Sequence, residues 1–253
     1  KMFYIKIFLL FLYKNINILL LFFIHFIMLT TIIESIPASP HIETSGEIAI
    51  NLKRQNKSVN YCWIGSNLPW NDWKLNKLQK FFGGSYDRKL NKFLKILDDN
   101  QIKTFKINEI KLIDKKIKFA NKFNGGLNKL KKLKYRGAPI GVGVASSLIS
   151  YFKDENINPL DYKKKTKELI LSSTIIFDRS YDFLKKYNPK TIITFNNRFA
   201  TCFPIICAAE ILGIKVRHHE KGSGIKKYEI FENEIHDLEQ IKKKIKIFWK
   251  KSK

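Results

Sequence analysis

Residues 191–223 read TIITFNNRFATCFPIICAAEILGIKVRHHEKGS, and this stretch decides the fold. Residues 191–194 form a short apolar run of strand character. Residues 199–212 have the composition of a buried helix, and residues 214–217 make a second strand. A strand, a helix and a strand in succession imply a parallel pair with a crossover. Each strand runs out into a polar cluster: Phe195-Asn196-Asn197-Arg198-Phe199 after the first, His218-His219-Glu220-Lys221-Gly222-Ser223 after the second. Open α/β sheets bind ligands beyond the carboxyl ends of their strands. A ligand site is therefore expected here before anywhere else in the chain.

The same pattern opens the chain. Residues 29–34 read as a strand, 35–41 as a turn-rich loop, 43–55 as a helix with Ile48, Ala49 and Leu52 on one face, and 59–64 as a strand. This is the β-loop-α-β start of a doubly wound sheet. An amphipathic helix over 87–98, a strand over 102–107, lysine-rich helical stretches around Gly125-Gly126, and helices over 141–152 and 161–186 follow. A short strand at 228–231 and a helix from 237 complete the reading. The expected fold is α/β, a Rossmann-like, mostly parallel sheet with helices on both faces, spanning 28–236 as one domain. Residues 1–27 form an apolar extension, read as a membrane anchor or as non-native sequence. Its longest clean run, residues 18–33, is shorter than the ~20 residues that span a bilayer. In residues 237–253, Leu238, Ile241, Ile245 and Phe248 share a stripe opposite lysines. Such a stripe packs on its own domain or a neighbour, or lies on an anionic membrane.

The formal charge of +25 on 253 residues suggests phosphates, nucleic acid or anionic lipid. The lysines are spread rather than clustered, and Lys, Asn, Ile and Phe dominate throughout, which is also what compositional drift produces. With no RNP-type, zinc-finger or helix-turn-helix signature, a nucleic-acid partner is disfavoured. The three cysteines, Cys62, Cys202 and Cys207, argue against a disulfide framework and for a reducing compartment, and their spacing offers no metal site.

Each candidate site has a bland counterpart. Ser39-Pro40-His41-Ile42-Glu43-Thr44 precedes a helix whose free N–H groups favour anions, and His41 can exchange a proton near neutral pH. The alternative is a helix start capped by Thr44 or Ser45, with Glu43 favourable in the first turn. Gly141–Ser147 lacks the Gly-Lys-Ser/Thr of a phosphate loop, so close helix packing is favoured, with Ser146 and Ser147 still able to donate to a polar ligand. Trp70, in Pro69-Trp70-Asn71-Asp72-Trp73, offers a stacking face for a sugar or an anchor for its loop. Arg198 stands at the start of the expected 199–212 helix and can fork onto phosphate or carboxylate, while Asn196 and Asn197 can cap that helix. Adjacent His219 and Glu220 can tune each other's proton affinity.

Together, Ser39–Thr44, Gly65-Ser66-Asn67-Leu68-Pro69, Phe195-Asn196-Asn197-Arg198-Phe199-Ala200, His219-Glu220-Lys221-Gly222-Ser223 and Tyr228-Glu229-Ile230-Phe231-Glu232-Asn233 resemble the amino-terminal half of bacterial capsule or lipopolysaccharide glycosyltransferases of the GT-B fold. The resemblance spans about Leu29 to Trp249. In that family's pattern a Gly and an Arg stand where this chain has Asn197 and Lys221. It implies two Rossmann-like domains facing a cleft, the first holding the acceptor and the second the nucleotide-sugar. It further implies that residues 237–253 are a basic amphipathic interdomain helix and that the chain is truncated before its donor domain, inactive alone, at the cytoplasmic side or the inner face of the membrane. Partners would be a saccharide or lipid-linked saccharide acceptor, the missing donor domain and an anionic membrane surface. No cofactor is expected within the chain, and a nucleotide-sugar donor is implied. His41, Glu43 and Glu220 are the candidate bases. Ser39, Pro40, Trp70, Ser146, Asn196, Asn197, Arg198, His219, Lys221, Gly222 and Ser223 are the candidate binding residues. A sugar epimerase of similar layout is less favoured because its fingerprint is missing from the second half. The rival class is a non-catalytic Rossmann-like module attaching to membrane or nucleic acid through its basic surface.

Overall fold

A computed structural model describes residues 29–70, 83–222, 227–232 and 238–251. The apolar extension at 1–27, Trp73, Ser223 and Asn233 lie outside the described residues. The elements run β1 (Thr30–Glu34), α1 (His41–Arg54), β2 (Val59–Trp63), α2 (Gly83–Asp99), β3 (Lys103–Lys106), α3 (Ile113–Lys122), α4 (Leu127–Lys131), α5 (Gly141–Phe152), α6 (Lys163–Tyr187), β4 (Thr191–Phe195), α7 (Phe203–Ile211), β5 (Lys215–Lys221), β6 (Tyr228–Phe231) and α8 (Leu238–Lys251). Six strands form one sheet in the order β3-β2-β1-β4-β5-β6, all parallel except β6, which pairs antiparallel to β5. The fold is thus the expected Rossmann-like α/β sheet.

Alternation along the strands sorts side chains between two faces. Ile32, Tyr61, Trp63 and Ile193 cluster with Ile42, Ile48 and Ala49 of α1 and with Leu90, Leu94 and Leu97 of α2. Ile33, Cys62 and Ile192 point the other way, onto Ile176, Phe177 and Leu184 of α6 and Ile205, Ala208 and Ala209 of α7. Both faces are therefore covered, as a parallel sheet requires. All three cysteines are buried and free. A third cluster joins α4, α5 and the first half of α6 through Leu130, Val144, Leu148 and Ile170. There the glycines of α5 serve packing. A Cβ on Gly141 would fall 1.9 Å from the Leu130 carbonyl oxygen, and one on Gly143 would fall 2.9 Å from Phe203 Cβ.

Two boundaries beside the candidate site differ from expectation. The helix expected from residue 199 begins at Phe203, because Asn196 adopts a left-handed conformation (φ 50°) and the chain turns through Phe199–Cys202 first. Pro204 then occupies the first turn, where its missing N–H costs nothing. The strand expected to end at 217 continues to Lys221, because β6 pairs with His218 through Lys221.

The chain builds outward from β1 to β3 on one side, then returns to place β4 on the other side of β1. That reversal is the topological switch point, and open α/β sheets place their ligand crevice beyond the carboxyl ends of the strands there, here β1 and β4.

Candidate functional site at the switch point

Three strands deliver their last residues to this crevice. Register places Phe195 of β4 opposite His219 of β5, and Glu34 ends β1 on the far side of β4. The Glu34 carboxyl reaches the His219 ring, with Oε1 at 2.5 Å from Nε2, and both side chains are fully buried. A contact this short between two acceptor-capable atoms holds one proton between them. Burial raises the Glu34 pKa, and the neighbouring His219 ring opposes that rise. Sequence reasoning missed Glu34. It stood as the last residue of an apolar strand, and nothing local shows that it meets a residue 185 positions away.

Above this pair lies His41, at the first position of α1. Its ring packs 4.0 Å from that of Phe195, which in turn lies 5.6 Å from His219. Burial lowers the His41 pKa, and the Glu220 carboxylate pulls it back upward more strongly than Glu43 does. The neutral ring is therefore the form present near pH 7. Around the rim, Asn196 Nδ2 donates to Glu220 Oε2 (2.8 Å), and Glu220 Oε1 accepts from the Lys221 backbone N–H (3.0 Å). Asn196 Oδ1 accepts from the backbone N–H groups of Asn197 and Arg198, which fixes the tight turn after β4. Arg198 projects into solvent beside the Phe199 ring.

Three expectations about this site need correction. The start of α1 does not present a full set of free N–H groups, since those of His41 and Ile42 both donate to the Ala38 carbonyl. Thr44 and Ser45 do not cap α1 either. Pro40 takes the cap position, and Ser45 turns inward, donating to Ile42 O and meeting the Tyr61 hydroxyl at 2.8 Å. Arg198 does not open a helix, because α7 starts five residues later. Among the other candidates, Ser39 and Glu43 are exposed at the loop and first turn of α1, and Gly222 ends the β5 side of the hairpin by donating to Lys227 O. Ser146 is half-buried on α5, next to Ser147, whose hydroxyl accepts from the Ala200 N–H at 2.7 Å. Trp70 belongs to the third cluster. Its ring meets Tyr151 edge-on, Lys165 Nζ lies 3.8 Å from its centroid, and its backbone N–H donates to Ser172.

Several buried polar atoms near the crevice have no hydrogen-bond partner among the described residues. They are Nδ1 of His218, Nδ1 of His219, Oδ1 of Asn197 and the hydroxyl of Thr194. Burial lowers the His218 pKa to about 4. No group of three or more His, Cys, Asp or Glu side chains that could hold a metal ion occurs among the described residues.

A second concentration of charge lies toward β3. A cavity of about 320 Å³ is lined by Phe105, Ile107, Phe183 and Tyr187 together with Lys116, Asp178 and Arg179. Arg179 is only 4% exposed, and its guanidinium donates to four carbonyl oxygens, those of Ile64, Ser66, Asn108 and Glu109. Asp178 accepts from Lys116, Arg136 and Tyr135, and Lys116 also donates to the Lys111 carbonyl.

No protein-family model matches this chain, and no curated protein matches it. Among solved structures it is similar to UDP-GlcNAc 2-epimerase from Neisseria meningitidis bound to UDP-GlcNAc, at 12% identity and a TM-score of 0.34, over 77% of this chain and 32% of that one. It is likewise similar to MurG from Acinetobacter baumannii, at 12% identity and a TM-score of 0.34, over 78% of this chain and 37% of that one. The chain thus spans about a third of the length of each. No helix among the described residues is long and apolar enough to cross a membrane.

Proposed function

We propose that the switch-point crevice binds a saccharide acceptor, and that the chain is the acceptor-side half of a nucleotide-sugar-dependent glycosyltransferase acting on a bacterial surface polysaccharide or lipopolysaccharide. One observation carries the reading. His41 and the run His219-Glu220-Lys221, with His41 and His219 178 positions apart in sequence, meet with Asn196 at the carboxyl ends of β1, β4 and β5. Of the five short motifs that resemble GT-B transferases, those at 39–44, 195–200 and 219–222 contribute residues to this meeting.

The chemistry follows from the residues. Sugar transfer to a hydroxyl needs a base that takes its proton as the new bond forms. His41, neutral because it is buried, can accept that proton, and the Glu220 carboxylate stabilises the resulting imidazolium. Glu43, exposed on the first turn of α1, and Glu220 itself are the alternative bases. Arg198 and Lys221 are exposed cations suited to an acidic sugar or the phosphate of a lipid-linked acceptor. Asn197, Gly222, Ser39 and Pro40 would form the surrounding wall, over the buried Asn196 and His219, while Ser223 lies outside the described residues. Trp70 and Ser146 would extend it only for an acceptor long enough to reach the third cluster. The donor would be held by a second Rossmann-like domain facing this one, as the family resemblance implies.

The test is kinetic. In a protein that carries such a nucleotide-sugar domain, His41→Ala should lower kcat by about 100-fold or more, while the acceptor KM stays within a few-fold. A rate within a few-fold of the parent contradicts the assignment of His41 as base. The chain of 253 residues should bind saccharide weakly and show no turnover. Robust transfer by that chain contradicts the division into acceptor and donor halves.

A further inference from the structure

The buried carboxyl–imidazole pair under the site takes no part in the sugar-transfer step, yet its surroundings give it a role. Alternation from Ile32 and Ile193 puts Glu34, Phe195 and His219 on the α1 side of the sheet. Glu34 and His219 belong to strands that are not neighbours, so their 2.5 Å contact ties β1 to β5 across β4. His219 also accepts the Asn196 N–H on its backbone oxygen (3.2 Å), and Asn196 in turn holds the Glu220 carboxylate. The Phe195 ring packs against both His41 and His219. Glu34 thus stands behind the groups of the site and is itself out of a ligand's reach, at 1% exposed.

The proton count of the pair follows from its burial. A buried net charge without a counter-ion is strongly disfavoured. Among the described residues His219 is the one charged group that acts on Glu34, so no other cation balances the carboxylate. Two protonation patterns put a proton in the short contact. With Nδ1 of His219 bare, the pair carries one negative charge; with a hydrogen on Nδ1 as well, it carries none. Burial selects the second. The His219 ring is then the positive end of an uncharged pair, and Glu34 the negative end. That polarity bears on His41. Burial is the largest influence on the His41 ring, followed by the charges of Glu220, His219, Lys221 and Glu43. Glu220 and Glu43 favour a proton on it, and His219 and Lys221 oppose one. We propose that Glu34 is a positioning residue: it keeps a positive His219 ring beside Phe195, and so keeps the His41 ring neutral until an acceptor hydroxyl supplies a proton. The meaning of this for catalysis rests on the sugar-transfer reading, whereas the effect on His41 does not.

Histidine-ring NMR on the isotope-labelled 253-residue chain, followed as a function of pH, provides the test. The chain has five histidines, and His41 and His219 are assigned from the signals lost in His41→Ala and His219→Gln. In the parent, the ring nitrogen shifts should place a hydrogen on His219 Nδ1. Glu34→Gln keeps the shape of the side chain and removes the counter-charge, so His219 becomes neutral and His41 should take up its proton at higher pH than in the parent. His219→Gln removes the same positive end and should move His41 in the same direction. The double variant should move it no further than either single one, because both delete one interaction. Backbone amide dispersion reports folding in each. A bare Nδ1 on His219 in the parent would overturn the proposal. So would a His41 titration unmoved by Glu34→Gln in a folded chain, or additive movements in the double variant. If Glu34→Gln fails to fold, the folded His219→Gln chain decides by the same criterion. If neither folds, the pair only holds the sheet together and the proposal is overturned. The kinetics of His41→Ala test the base assignment separately, so a failed titration removes Glu34 and leaves that assignment standing.

Discussion

Two clusters of buried charge sit on the carboxyl side of this sheet, and they are built on opposite principles. Around Arg179 and Asp178 the polar groups satisfy one another. Four carbonyl oxygens take the guanidinium, and Lys116, Arg136 and Tyr135 converge on one carboxylate. At the switch point His218 and His219 each keep one buried ring nitrogen without a partner among the described residues, and Asn197 keeps a carbonyl oxygen. A closed network of buried polar groups fixes one arrangement of loops, whereas open valences at a crevice are available to something that binds. The cavity of about 320 Å³ adjoins the closed network, so that enclosed volume and the open polar valences lie in different places.

If this contrast is right, the two clusters fail in different ways when broken. The largest stability effect belongs to the closed network. Asp178→Ala strands a buried lysine, and Arg179→Met strands four carbonyl oxygens. Each should lower unfolding free energy by about 3–5 kcal/mol in urea titrations, with saccharide affinity retained by whatever protein remains folded. A loss of only a few tenths of a kcal/mol would show the network to be ornamental to the fold.

The switch point should instead show its weakness in acid. His218 has a folded-state pKa of about 4 against an ordinary 6.5, so the unfolded chain binds more protons between those values. Stability is therefore full above about pH 6.5 and drains as pH falls toward 4, by up to about 3 kcal/mol. Denaturant midpoints across that window should fall for the parent and fall less steeply for His218→Leu. Identical slopes would remove His218 from the account. The smallest expected effect is a control in the core between the clusters. Tyr61→Phe deletes the hydroxyl that meets Ser45 and should cost about 1 kcal/mol without altering either the acid response or ligand binding.

Much of the fold was legible because strands and helices alternate with clear periods. The strand read at 191–194 is observed over 191–195, the helix read at 161–186 over 163–187, and the helix read at 141–152 over those same residues. The start of α7 was legible too, in Pro204, but the apolar run from Phe199 masked it. The length of β5 was not, because it depends on pairing with β6, a partner chosen in three dimensions. The same limit explains the site. His41, Asn196 and Glu220 stand out as polar residues at element ends. Glu34 does not, because its meaning comes entirely from His219 lying two strands away. Trp70 illustrates the converse: the side chain was conspicuous, but Lys165 and Tyr151 already occupy its ring.

The central claim, that the open cluster binds saccharide and the closed one only holds the fold, is tested most directly by NMR. The 253-residue chain, isotope-labelled, would be titrated with capsule and lipopolysaccharide oligosaccharides while its histidine ring and backbone amide signals are followed. The account predicts shifts centred on His41, Asn196, Arg198 and Lys221, lost in Asn196→Ala. Shifts centred on Phe105, Lys116, Asp178 and Tyr187 would contradict it, placing the ligand in the cavity beside the closed network.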